Sequence, residues 1–136
     1  MIISSIDELN SFANDLLTQW YRKFLLEGEL GVGKTQFTKE IVSLLWWNKD
    51  SVQSPTYTYM NIYKLPNHRQ LLHMDLYRFE NQEDAFNKWI FEAIDEHDII
   101  CIERPKREEN YSDSSRVRLH FSFTSDGERK ITLHTQ

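Results

Sequence analysis

The residues whose chemistry is easiest to name are the eight from Gly28 to Thr35, which read Gly-Glu-Leu-Gly-Val-Gly-Lys-Thr. A glycine, four further residues, a second glycine, a lysine and a threonine make the spacing of a phosphate-binding loop. Glycines let the backbone curl until successive N–H groups face one anion, and a following helix adds the positive end of its dipole. The segment therefore predicts a loop that binds phosphate groups; the alternative is a glycine-rich turn that binds nothing.

Within this loop the two residue types that carry side-chain chemistry have separate tasks. Lys34 would reach the outer phosphates of a nucleotide, and the Thr35 hydroxyl would coordinate Mg²⁺. The residues predicted to contact the nucleotide here are Gly28, Glu29, Leu30, Gly31, Val32, Gly33, Lys34, Thr35 and Gln36.

Enzymes with such a loop usually need a carboxylate at the end of a neighbouring strand. Asp75 lies on the polar face of a predicted strand, and Glu103 ends the apolar run Ile99–Ile102. The alternative makes Asp75 a solvated strand residue and Glu103 a salt-bridge partner of Arg104 or of a nearby lysine. With the phosphate loop present, a catalytic or metal-binding role is the preferred interpretation of both carboxylates.

The elements that must position these residues follow from hydrophobic spacing. Ser5 and Glu8 form a capping-box pattern before a helix over residues 6 to 20. We further predict strands at 23–27, 57–64, 70–77, 99–103, 116–123 and 129–134, a helix that leaves the glycine loop, and another around 86–94. The order predicts an α/β, phosphate-loop NTPase-like layered fold with a mixed central sheet and flanking helices.

Composition narrows the class of protein. The chain has 136 residues, which suits one domain over residues 1–136, and a net charge of -5 argues against direct binding of nucleic acid. One cysteine excludes an intrachain disulfide, and the apolar runs are too short to cross a bilayer. The N-terminus does not read as a signal peptide, so we expect a cytoplasmic protein.

The motifs together resemble those of the bacterial TsaE family. They are Gly28–Thr35, Ser54-Pro55-Thr56-Tyr57-Thr58, His73-Met74-Asp75-Leu76-Tyr77-Arg78 and Ile99-Ile100-Cys101-Ile102-Glu103. The resemblance runs from about residue 5 to 103 and thins into a weak match at residues 129–131. It implies a small ATPase that binds ATP and Mg²⁺ and works with TsaB and TsaD in threonylcarbamoyladenosine modification of tRNA.

The resemblance also implies roles for residues outside the glycine loop. Thr56 would belong to a loop that senses the nucleotide, while Asp75 and Glu103 would serve the metal and the attacking water, together with Lys34 and Thr35. Ser5 and Arg129 would approach the base or ribose. For these two residues the preferred interpretations are instead that Ser5 caps the first helix and that Arg129 is a solvated strand residue. His73 and Tyr77 share the face of Asp75 and are expected to hydrogen-bond around its carboxylate rather than to bind a metal.

The sequence departs from the family pattern in several places: Glu29 replaces a more usual aspartate, a glycine usual between the arginine motif and the buried strand is absent, and the tail is short. The departure that bears most on the site is Arg104, which stands where the family has tryptophan. Its guanidinium could stack on an adenine ring, face a phosphate, or pair with Glu103 and draw that carboxylate from the metal. We expect the first two roles.

These observations predict a weak ATPase that acts on a TsaB/TsaD-type complex, with tRNA bound only indirectly. Two other functions stay open at this point. One is a small-molecule kinase, and the other is a nucleotide-dependent binding module without turnover.

Overall fold

The computed structural model describes residues 1–29, 33–45, 60–66, 68–76, 97–105 and 115–134. Within these ranges the chain forms two helices and seven strands. In chain order they are β1 (Ile2–Ile3), α1 (Ile6–Thr18), β2 (Lys23–Glu27), α2 (Lys34–Leu44), β3 (Met60–Lys64), β4 (Gln70–Asp75), β5 (Ile99–Glu103), β6 (Arg116–Phe123) and β7 (Arg129–His134).

The strands form one mixed sheet in the order β1-β7-β6-β2-β5-β4-β3. Its four middle strands, β6, β2, β5 and β4, run parallel, and the outer strands join through antiparallel pairs. The carboxyl ends of the parallel strands therefore meet at one edge, which is where open α/β sheets bind their ligands. The predicted layered α/β fold with a mixed central sheet is confirmed.

Both described helices contribute to the same hydrophobic core on one face of the sheet. Phe37 of α2 lies at its centre, with ring centroids 6.4 Å from Phe12 of α1, 5.4 Å from Phe24 of β2 and 6.0 Å from Phe121 of β6. The opposite face carries a second buried cluster that includes Leu25, and every residue of β5 is buried. A strand buried on both faces is what the apolar run at 99–102 predicted.

Helix α1 begins as the capping pattern predicts but ends earlier. The Ser5 hydroxyl accepts a hydrogen bond from the backbone N–H of Glu8 at 3.1 Å, so Ser5 is the N-cap. Trp20, placed by its spacing on the apolar face of the predicted helix, is instead 75% exposed with φ +69°, and its ring lies beside the Arg22 guanidinium. The left-handed backbone at Trp20 is incompatible with further helix, so the predicted end at residue 20 is wrong.

The strand predictions agree closely with the described residues. Those at 23–27, 99–103, 116–123 and 129–134 are confirmed, and the turn between β6 and β7 has Gly127 at φ +81°. The predicted strands at 57–64 and 70–77 are observed as β3 and β4. Residues 57–59, residue 77 and the helix predicted around 86–94 lie outside the described residues, whereas Leu76 is described and follows the end of β4. The two-residue strand β1 was not predicted.

The single cysteine is part of the core. Cys101 is fully buried in the middle of β5, and burial raises the pKa of its thiol to about 12. A thiol in that state is a small apolar side chain rather than a nucleophile.

The aromatic cluster predicts an unequal response to two phenylalanine truncations. Phe37→Ala removes a fully buried ring and should lower the free energy of unfolding by about 3–5 kcal/mol, measured by chemical denaturation. Phe123→Ala, at a ring that is 49% exposed, is the matched control and should cost no more than about 1 kcal/mol. Equal losses at the two positions would contradict the assignment of Phe37 to the centre of the core.

Candidate functional site

The candidate site lies where β2 ends and α2 begins. Glu27 is the last residue of β2, and Gly33 is the N-cap of α2 with φ +109° and no side-chain cap hydrogen bond. The backbone N–H groups of the first helical turn have no acceptor within the helix, and they carry the positive end of its dipole. The start of α2 thus has the geometry of an anion-binding helix terminus.

The Lys34 side chain is buried at the mouth of this loop. Its Nζ donates a hydrogen bond of 2.5 Å to the Gly28 carbonyl, so the side chain reaches back to the residue that follows β2. Burial lowers the pKa of Lys34, as does the nearby Arg104, while Glu103 and Asp75 act in the opposite direction. An ammonium that has already lost its water is well placed to meet an anionic ligand.

Glu103 joins the helix start to the sheet. One of its carboxylate oxygens, Oε2, accepts hydrogen bonds from Thr35 Oγ1 at 3.1 Å and from the His73 ring at Nε2, 2.6 Å away. Thr35 comes from α2, His73 from β4 and Glu103 from the end of β5. The carboxylate is therefore held in one orientation beside the threonine of the phosphate loop.

Asp75 is the neighbour of Glu103 across the β4–β5 pair, and each residue is only 2% exposed. The guanidinium of Arg104 forms a salt bridge with the Asp75 carboxylate. The alternative that Asp75 is a solvated strand residue is thus wrong. Arg104, which was one possible partner of Glu103, forms its salt bridge with Asp75 instead.

Arg104 reaches Asp75 from an unusual backbone conformation. Its φ is +53°, and its N–H donates to the Leu26 carbonyl at 2.8 Å, which extends the β5–β2 ladder by one residue. The ladder bond fixes where the side chain leaves the sheet edge, close to Lys34 and Asp75. This conformation is rare for residues other than glycine and asparagine.

Ser5 and Arg129 line one cavity of about 550 Å³, together with Ile3, Ile6, Leu9 and Phe123. The Arg129 side chain also lies beside the phosphate loop, because a Cβ added to Gly33 would be 3.5 Å from its Cδ. Arg129 is an exposed strand residue at the start of β7, and its side chain lies close to the site. The cavity combines apolar walls with an arginine that borders the loop.

The structure brings most of the predicted site residues together. Leu30, Gly31, Val32 and Thr56 lie outside the described residues. Gln36 donates its amide to Glu40 within α2 at 2.7 Å, and Glu29 is exposed after Gly28. His73 was expected to hydrogen-bond to the Asp75 carboxylate, and this prediction is wrong, because its ring contacts Glu103 on the neighbouring strand β5.

The donor set around Thr35 consists of oxygen atoms. In the part of the chain that the structure describes, no three His, Cys, Asp or Glu side chains are gathered so as to hold a metal by themselves. Thr35 and one or two carboxylates would leave the remaining positions to phosphate and water oxygens, which is how proteins commonly hold Mg²⁺. The residues present therefore fit Mg²⁺ bound together with a phosphate compound.

Comparison with known proteins identifies the family of this chain. The model of the family "Threonylcarbamoyl adenosine biosynthesis protein TsaE" matches residues 3–131. The chain belongs to the TsaE family. Its relatives include the tRNA threonylcarbamoyladenosine biosynthesis protein TsaE of Rickettsia bellii, 35% identical over 68% of this chain and 65% of that protein. The protein of the same name from Bacillus subtilis is 33% identical over 79% of this chain and 66% of its own length.

The aligned part of the chain spans about two thirds of these TsaE proteins, and 54% of the Rickettsia typhi member. The crystal structure of Bacillus subtilis YdiB aligns with a TM-score of 0.65 at 23% identity, covering all of this chain and 84% of the other. This likeness confirms the fold predicted from the TsaE resemblance. Among the described residues, no helix is long and apolar enough to cross a membrane.

The His73–Glu103 contact yields a stability prediction. His73→Leu removes a donor from a buried carboxylate and should lower the free energy of unfolding by about 2–3 kcal/mol. His73→Gln can place an amide N–H near the original Nε2, so it should be less destabilising than His73→Leu. Denaturant titrations of the three proteins measure it, and equal destabilisation by both substitutions would show that the hydrogen bond contributes nothing beyond packing.

Proposed function

We propose that this chain is a Mg²⁺-dependent ATPase that acts in tRNA threonylcarbamoyladenosine biosynthesis together with TsaB/TsaD-type proteins. The observation that carries the proposal is the convergence of Lys34, Thr35 and Glu103 at the uncapped start of α2. Membership of the TsaE family supports the biosynthetic role. The types and positions of these three side chains support the proposed ATPase activity.

ATP binding follows from the groups at the loop. The phosphates would accept hydrogen bonds from the first-turn N–H groups of α2, and Lys34 would exchange the Gly28 carbonyl for a phosphate oxygen. The base or ribose would enter the cavity between Ser5 and Arg129, whose walls are largely apolar. The hydroxyl of Ser5 is already used as the helix cap, so Ser5 would contribute mainly through its backbone and shape.

The metal would be held by the Thr35 hydroxyl and by Glu103, directly or through water, with Asp75 as a further carboxylate. Bound Mg²⁺ supplies positive charge that offsets the charge of the outer phosphates. Thr35 would turn its oxygen from Glu103 toward the metal. His73 would then keep Glu103 in place through the contact at Oε2.

A carboxylate must also orient the attacking water. Glu103 is the better placed, because His73 and Thr35 both act on Oε2 while Asp75 is engaged by Arg104. The Asp75–Arg104 salt bridge favours a second candidate, a nucleotide-dependent binding module without turnover. Both candidates share the same nucleotide site and differ only in phosphate release.

A role with partner proteins suits the charge of the chain. A net charge of -5 disfavours tight binding to tRNA, so contact with tRNA would be indirect. Slow turnover in isolation would rise when partners complete the site. We expect the protein to work in the cytoplasm, where tRNA is modified.

Nucleotide binding is tested by thermal unfolding with a non-hydrolysable ATP analogue and MgCl₂. At about 100 times the dissociation constant, the wild type should gain about 2.7 kcal/mol of stability. Lys34→Ala should lose this gain and remain folded, since its ammonium faces the ligand. Lys39→Ala, a lysine of the same helix outside the loop, is the control and should behave as the wild type. If the wild type gains no stability from the analogue, the proposed nucleotide site is wrong.

Hydrolysis is tested with Glu103→Gln, alone and with TsaB- and TsaD-type proteins of the same organism. The amide keeps the shape and removes the charge, so analogue binding should persist while turnover falls more than about tenfold, or 1.4 kcal/mol of barrier. Asp15→Asn, at an exposed carboxylate of α1 that does not line the proposed cavity, is the matched control. Unchanged turnover in Glu103→Gln would leave Glu103 with a structural role. Nucleotide binding without phosphate release, even with partners, would favour the binding module.

A further inference from the structure

Arg104 places a permanent positive charge inside the site at the position where the family pattern has tryptophan. Its guanidinium contacts Asp75, and its charge lowers the pKa of Lys34, so the two cations lie near each other. An uncharged aromatic ring would supply neither effect. The substitution therefore changes the electrostatics of this site rather than its shape alone.

The charge matters because two carboxylates are buried side by side. Asp75 and Glu103 are register partners on β4 and β5, and adjacent strands lie only about 4.8 Å apart. Two buried like charges at such a separation repel, and each loses its hydration. Positive charge close to them offsets both effects, and Lys34 and Arg104 supply it among the described residues.

We propose that Arg104 is a built-in counter-cation of Asp75, which takes the place of a divalent cation at that carboxylate until a nucleotide is bound. The inference rests on the proposed function, since it concerns the order in which metal and nucleotide enter the same site. Without nucleotide, Mg²⁺ would have to displace a guanidinium from a nearly fully buried carboxylate and would meet Lys34 beside it. Phosphate groups carry negative charge, so Arg104 and Lys34 could exchange their present partners, the Asp75 carboxylate and the Gly28 carbonyl, for phosphate oxygens.

The consequence is that Mg²⁺ binds this chain with the nucleotide and scarcely without it. Arg104 would hold the site ready by offsetting the charge of Asp75, and it would release that carboxylate when phosphates arrive. A merely structural salt bridge would also stabilise the fold, but its loss would not create a response to Mg²⁺. The two roles are therefore separable by a measurement made without any nucleotide.

The test is thermal unfolding in about 10 mM MgCl₂ against NaCl of equal ionic strength, with no nucleotide present. The wild type should show no difference between the two salts. Arg104→Met keeps most of the side-chain length and removes the charge; it should unfold at a lower temperature in NaCl and regain about 3–5 °C in MgCl₂. In the double variant Arg104→Met with Asp75→Asn, the Mg²⁺ response should disappear.

The matched control is Arg22→Met. Arg22 donates to the carbonyls of Leu17 and Tyr21 and precedes β2, at the opposite end of that strand from the site. Its loss should lower the unfolding temperature equally in both salts. Arg104→Gln is a second neutral variant with the same expected response as Arg104→Met, and either variant that refolds only in MgCl₂ gives the same positive answer.

The inference is wrong if neither neutral variant is stabilised by Mg²⁺, or if the wild type responds as strongly as they do. The nucleotide site is judged separately, from the stabilisation of the wild type by the ATP analogue with Mg²⁺. A Mg²⁺ response in Arg104→Met with no analogue binding in the wild type would keep the role of Arg104 and remove the ATPase proposal.

Discussion

The site depends on the parallel pairing that brings the ends of β4 and β5 together. This pairing sets the carboxylates of Asp75 and Glu103 beside each other at a buried edge, where neither can rely on water. Their charge is met by Thr35 and His73 on one side and by Arg104 on the other. Lys34 lies near these two carboxylates as well, so the charged and polar groups around Thr35 are arranged about them.

The core explains why the helix that carries Thr35 starts where it does. Phe37 is one turn beyond Lys34 and packs among aromatic rings from α1, β2 and β6, which fixes α2 over the sheet. Because α2 cannot slide without breaking these contacts, its first turn stays at the carboxyl ends of β2 and β5. The hydrophobic core and the anion-binding helix terminus are thus positioned by the same residue packing.

The sequence predicted the parts of the fold that local spacing controls. The run from β2 through the loop to α2 carries its own signals, namely a short apolar strand, crowded glycines and an amphipathic helix. The same holds for β6 and β7, which are joined by a glycine turn. The prediction that the first helix includes Trp20 failed because hydrophobic spacing does not reveal a residue with left-handed backbone. Strand β1 was missed because two residues are too short to show a periodic pattern.

The parts of the site that the sequence missed are all contacts between strands. Asp75, Glu103 and His73 could each be singled out from their residue types, but their mutual contacts depend on β4 lying next to β5 in one register. Register is a non-local property, and local sequence patterns do not encode it directly. The contact of Arg104 with Asp75 was not predicted for the same reason, since Asp75 is distant in sequence and adjacent only across the sheet.

The sheet also positions the cavity beside the loop, which is lined by Ser5 and Arg129. Arg129 opens β7 and lies beside Gly33, while Ser5 opens α1 and lines the same cavity. Strand β1 pairs with β7, so the segment before α1 and the start of β7 are held together before any ligand enters. A nucleotide that filled both the loop and the cavity would contact α1, α2 and β7 at once. Its binding energy would therefore act on the relative placement of these elements, which would give the proposed nucleotide site a physical route to the surface that a proposed partner protein would contact.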